Sequence, residues 1–226
     1  MLELSYILGW ASTFMQGVAI LVGVFHWKRL SSSQQLLLAM LTLVMLNYVV
    51  SRIFVEFERN SYPFFYCYIG IELTFLVLLF KQKVRALSSA QVAYPIIGFG
   101  LLFTLASGAF WQSYWSFPTY ARAMESLLVV GFCTSYFVQV LRNLDVENLE
   151  RTFMFWVTTG LLVYFATNAC ITIFGSVLAT EAIAPVWGAI WSIHGVLNIL
   201  LYLAFAIAFM CRDTVLTESR DELLYP

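Results

Sequence analysis

Seven runs of about twenty mostly apolar residues, each stopped by charged or turn-forming residues, leave this chain few ways to fold. They cover residues 5–27, 35–57, 63–80, 92–110, 119–140, 152–178 and 184–211. At about 1.5 Å of rise per residue, a helix of that length matches the hydrocarbon thickness of a bilayer. The expected fold is therefore all-α: a polytopic membrane protein built as a seven-transmembrane-helix bundle. With 61% hydrophobic and 11% charged residues among 226, too little polar surface remains for a separate soluble domain. Residues 212–226 are left as a short acidic tail. A net charge of −1 and the lack of a basic arm give no footprint for nucleic acid, so the lipid bilayer is the expected surrounding partner.

The breaks between the runs set the orientation. Lys28, Arg29, Lys81, Lys83, Arg85 and Arg142 fall in the first, third and fifth connectors, followed by Arg151, Arg212 and Arg220, whereas the opposite loops carry little beyond Arg59. By the positive-inside rule the N-terminus is outside and the C-terminus cytoplasmic. Tyr62, Phe64, Trp111, Tyr114 and Trp115 then form an aromatic belt at the outer boundary. The stretch from Met1 to Trp27 lacks the basic start and small-residue cleavage site of a signal peptide, so it reads as a retained helix. The absence of an N-x-S/T sequon fits a bacterial cytoplasmic membrane. Pro95 is expected in the first turn of the fourth helix, where its missing N–H matters least. Cys67, Cys133, Cys170 and Cys211 form no CxxC pair, and no disulfide is expected.

Polar residues inside the spans carry the functional information. In the last span Trp187, Trp191, His194, Asn198 and Tyr202 recur at helical spacing and share one stripe, which should turn away from lipid. Counting from the outer ends places Gln16, Asn47, Glu72, Asn168 and His194 near one level close to the midplane, with Arg52 and Glu125 nearer the outer surface. Helical spacing joins Tyr48 to Arg52, Tyr68 to Glu72, Tyr164 to Asn168, and Arg122 and Glu125 to Tyr136 and Gln139. Spans two, three, five, six and seven are thus expected to surround a polar site in the outer half, the first span adding Gln16 and the fourth lying at the periphery.

Each of these residues also has a plainer reading. Asn47, Asn168, Gln16 and Asn198 serve equally as interhelical hydrogen bonders, worth about 0.6 kcal/mol each on average. Trp187 and Trp191 suit a belt or a pocket wall. Ionisable groups are costlier: a charge at this depth costs about 2.5–3.5 kcal/mol even on the lenient scale, which marks Glu72 as functional. Arg52 is expected either to pair with Glu125 or Glu72 or to snorkel outward. Glu72 and His194, at matching depth on different helices, are expected to form the working centre. A carboxyl and an imidazole held together titrate as one unit, and a ligand at the tryptophans would bias helix seven against helix three.

Absences narrow the function. The seven-helix layout resembles rhodopsins, but Lys28, Lys81 and Lys83 all lie at cytoplasmic ends, so no retinal Schiff base forms and no cofactor is expected. Seven-helix zinc hydrolases need several histidines and an aspartate at one metal; here a mixed Glu72, Glu125 and His194 set is all that remains open. No Gly-rich phosphate loop, HExxH or GxSxG occurs. A small proton-coupled transporter would use midplane Glu and His, yet no internal repeat is visible and polar groups thin out toward the cytoplasmic half. The pattern Trp187-x3-Trp191-x2-His194-x3-Asn198-x3-Tyr202, with Glu72 after a Tyr-rich helix start, resembles uncharacterised small seven-helix bacterial proteins that accompany histidine-kinase signalling systems. That resemblance implies a receptor or sensor subunit with a small-molecule ligand, signalling through a histidine kinase or other cytoplasmic effector. The connectors 81–91 and 142–151 and the tail 213–226 would be its docking surfaces.

Overall fold

A computed structural model describes residues 2–57, 59–143, 149–178 and 184–213, without the side chains of 2, 143, 173–178 and 184–187. Its helices are α1 (Leu2–Phe25), α2 (Ser32–Glu56), α3 (Tyr62–Lys81), α4 (Ala90–Ala106), α5 (Thr119–Asn143), α6 (Phe153–Leu178) and α7 (Ala184–Met210). No strand occurs among the described residues. Seven helices are long and apolar enough to cross a membrane, which fits a multi-pass membrane protein.

Local chemistry fixes several helix ends. α2 starts at Ser32, ahead of the expected position, because Ser31 and Gln34 form a reciprocal capping box: the Gln34 N–H donates to Ser31 Oγ and the Ser31 N–H to Gln34 Oε1. α3 opens with Pro63 in its first turn, where the missing N–H has no intrahelical partner to lose. The expectation for Pro95 is corrected. Ser89 Oγ accepts from the Gln91 N–H and starts α4 at Ala90, so Pro95 lies inside the helix rather than in its first turn. α4 ends in a π-helical turn, Ser107–Trp111, closed by the Gln112 N–H on the Ser107 carbonyl at 2.7 Å.

Six helices close a ring in the order α1, α2, α3, α5, α6, α7, each packed on the next, while α4 lies outside against α3 and α5. Glycines permit two of the close approaches. A Cβ on Gly195 of α7 would stand 2.8 Å from Leu8 Cβ of α1, and one on Gly160 of α6 would stand 3.0 Å from Ala204 Cβ of α7. Calling the end where α1 begins the upper end, the tightest packing fills the lower half: Leu41, Phe80, Phe132, Leu161 and Phe205, from five helices, are at most 6% exposed. Outward faces are bare and apolar, with Phe25 87% and Phe110 82% exposed, as suits a lipid surround.

The residues just past α7 tie the lower end together. Asp213 accepts from Ser31 Oγ at 2.6 Å and from Lys83 Nζ at 2.7 Å, the Lys83 and Asp213 side chains each being 7% exposed. The Arg212 N–H donates to the Arg151 carbonyl, and the Phe153 N–H to the Arg212 carbonyl. Gln34 donates to the carbonyls of Ala208 and Cys211. The connectors α1–α2, α3–α4 and α5–α6 therefore all meet the same short segment.

Candidate functional site

The chemistry of the upper half centres on Arg122, at the end of the first turn of α5. Its Nη1 donates to Glu72 Oε2 of α3 and to Glu125 Oε2 on its own helix, both at 2.6 Å, and its Nη2 donates to the Tyr164 hydroxyl of α6 at 2.8 Å. The two carboxylate oxygens, each 2.6 Å from one nitrogen, are hence within about 5.2 Å of each other. The side chains are 8%, 5% and 0% exposed for Arg122, Glu72 and Glu125. Aromatic rings cover the guanidinium, its Cζ lying 5.2 Å from the centres of Tyr68 and Phe165 and 5.7 Å from Tyr164. With both carboxylates ionised, one cation serves two anions. Glu125 Oε1 is buried without a hydrogen-bond partner, a costly state that only firm surrounding structure sustains.

Above and beside this cluster lies a cavity of about 530 Å³, lined from all six helices of the ring. α1 contributes Gln16, α2 Asn47 and Ser51, α6 Asn168 and α7 His194 and Asn198. A second, smaller pocket, lined by Ser5 and Gly9 of α1, shares Ser12, Tyr48 and His194 with it. The α4–α5 connector folds across the mouth. Asn60 Nδ2 donates to the Trp115 carbonyl at 2.7 Å, and Phe117 packs on Tyr62, Phe65 and Trp191. Aromatic contacts continue inward from Trp191 to His194 and from His194 to Tyr164, with ring centres 5.5 Å apart at each step. A chain of rings thus leads from the mouth to the Arg122 cluster.

Among known proteins, no family model matches this chain, and neither a curated protein nor a solved structure matches it. The functional reading therefore rests on the site itself, and the likeness to histidine-kinase-associated proteins stays an expectation.

Gln16, Asn47, Asn168, His194 and Asn198 surround one cavity, with Tyr68 and Trp191 in its wall and Glu72 behind Arg122. Gln16 also bonds the Leu41 carbonyl, and Asn168 bonds Ser126 Oγ, so these two act as interhelical ties as well as lining. The expected pairing of Arg52 is corrected: Arg122 holds both Glu72 and Glu125, and Arg52 lies half-buried with its guanidinium 5.6 Å over Trp10 of α1. The expected direct pairing of Glu72 with His194 is corrected too. No hydrogen bond or ion pair joins them among the described residues; Tyr164 and Arg122 stand between. Tyr136 and Gln139 do not share the site. Gln139 bonds the Lys83 carbonyl and the Arg85 N–H at the lower end, and Tyr136 belongs to the lower core. Among the described residues no group of three His, Cys, Asp or Glu gathers as metal ligands, so the mixed Glu72, Glu125 and His194 set is not assembled. The Trp187 side chain, Thr180-Glu181, the connector 144–148 and the tail from residue 214 lie outside the described residues.

The residue that sequence reasoning undervalued is Arg122. Its signal was the Arg-x-x-Glu spacing with Glu125, which puts both on one helix face.

Proposed function

We propose that this chain is a membrane receptor or sensor subunit. It binds a small molecule in the upper cavity and passes the event to a partner at the lower end. One observation carries the reading: the polar lining of the cavity gathers toward the upper end, around the Arg122 cluster, while buried apolar side chains of α2, α3, α5, α6 and α7, among them Leu41, Phe80, Phe132, Leu161 and Phe205, fill the ring below. A carrier alternates access through its site, whereas a receptor needs access from one side only. Lys81, Lys83, Arg85, Arg142, Arg151 and Arg212 gather at the lower end, which supports a cytoplasmic lower face and an outward-opening cavity. Output then leaves through the connectors and the segment after α7, and the resemblance to sensor-associated proteins suggests a histidine kinase as the partner.

The shared wall explains how occupancy would reach that end. Trp191, His194 and Tyr164 link the mouth to Arg122, which in turn ties α5 to α3 and α6. A ligand that displaces Trp191 shifts α7 against this tied group, and rigid helices carry the shift downward.

Native mass spectrometry of the protein in lipid nanodiscs tests the reading. A bound small molecule is expected, lost when Ser51→Trp fills the cavity from α2, and the same molecule should not accumulate inside proteoliposomes. Persistence of the adduct in Ser51→Trp, or accumulation driven by a proton gradient, would sink the proposal.

A further inference from the structure

The cavity wall is selective in its charge. Among the described residues Arg122 is the only Lys or Arg lining it; three of its five N–H groups are engaged by Glu72, Glu125 and Tyr164, and its single charge is already matched by the two carboxylates. Its flat faces are covered by Tyr68 and Phe165. Among the described residues an anionic guest therefore finds no uncompensated cation. With both carboxylates ionised it also meets one net negative charge, and with one of them protonated it meets none; neither state offers it a counterion.

A cationic guest is no better placed. Glu72 and Glu125 do not line the cavity, and the guanidinium of Arg122 stands between them and the open space, so an incoming ammonium meets a like charge first. Bringing either ion into this site removes its hydration shell without supplying a counterion that lines the cavity, and the aromatic wall offers an ammonium only ring contacts.

The groups left free are uncharged and of mixed hydrogen-bonding character. The Asn47 amide and the hydroxyls of Tyr48, Ser51, Tyr68 and Tyr202 line the cavity and make no hydrogen bond among the described residues. The His194 ring nitrogens are likewise uncommitted, its ring making only aromatic contacts. Around them Phe117, Trp191, Phe65 and Ile69 supply apolar wall. A volume of about 530 Å³ suits a compact organic molecule rather than an ion or a peptide.

Resting on the receptor reading, we infer that the occupant is an uncharged small molecule with an apolar body, carrying both a hydrogen-bond donor and an acceptor. Specificity comes from polar groups that would be left unpaired by an ion, and affinity from the aromatic wall.

The test uses three probes on one skeleton: 2-naphthaleneethanol, 2-naphthylacetate and 2-naphthylethylammonium, which at neutral pH are uncharged, anionic and cationic. Equilibrium dialysis against nanodiscs of the full chain measures binding. Discs of Ser51→Trp, and separately of Thr13→Trp on α1, subtract partition into lipid. The alcohol should bind roughly tenfold or more tightly than either ion, an energy gap that an unpaired buried charge readily exceeds. If the acetate or the ammonium binds as tightly as the alcohol, the inference is overturned and the receptor reading stands. If none of the three binds above both blocked controls, the inference falls together with that reading.

Discussion

Replacing Arg122 with leucine removes the single cation from a buried group of three charges. The structure sets the size of the effect. Two hydrogen bonds of 2.6 Å and one of 2.8 Å are lost, and Glu125, with a side chain 0% exposed, keeps neither its partner nor access to water. Breaking a buried pair from one side costs about 3–5 kcal/mol, and here two carboxylates are stranded at once, so the upper part of that range is expected. Arg122→Lys keeps the charge but not the planar fork that reaches Glu72, Glu125 and Tyr164 together, and should lose about 1–2 kcal/mol. The triple change Arg122→Leu, Glu72→Gln, Glu125→Gln removes the stranded charges and should recover half or more of the loss. Unfolding by SDS titration in mixed micelles, followed by circular dichroism, gives the free energies. If Arg122→Leu lies within about 0.5 kcal/mol of wild type, or the triple variant is no more stable than the single one, the three residues are not an energetic unit and the argument fails.

Two further outcomes follow from helix packing and from the charge asymmetry. Gly195→Ala puts a methyl 2.8 Å from Leu8 Cβ, forcing α1 off α7, and should cost about 1–3 kcal/mol in the same titration, whereas Gly9→Ala meets nothing within 4 Å and should be neutral or slightly stabilising; equal losses would refute the α1–α7 seam. In a background with the four cysteines replaced, Trp115→Cys in the exposed α4–α5 connector should react with an impermeant thiol reagent added to intact cells, while a reporter after Pro226 stays cytoplasmic; the reverse labelling would turn the cavity toward the cytoplasm.

Much of this architecture is readable in the sequence because bilayer thickness averages over about twenty residues, so single errors at helix ends matter little. Depth along a helix is similarly legible: fixed rise per residue brings Gln16, Asn47, Asn168 and His194 to one cavity even though they lie on four helices. Rotation about each helix axis is not legible. Arg52 and Arg122 enter their helices at similar depth, and only the packing of α5 between α3 and α6 aims Arg122 inward while Arg52 rests on Trp10. Spacing also misleads when it ignores distance: Gln139 shares a face with Glu125 but lies about 20 Å further along the helix, and it serves the α3–α4 connector instead. Glu72 and His194 match in depth yet face each other across Tyr164 and Arg122. No count along a single helix could have revealed that.

The segment at Arg212 and Asp213 has a mechanical meaning. Three hairpins are knotted to one point, the first through Ser31, the second through Lys83 and the third through Arg151 and Phe153. A shift of any one of these hairpins therefore bears directly on the segment just past α7. On the receptor reading proposed above, the junction would also work in reverse, since a coupling between two sites acts equally in both directions: a load applied at Asp213 would pull on all three hairpins together and so bear on the distant cavity.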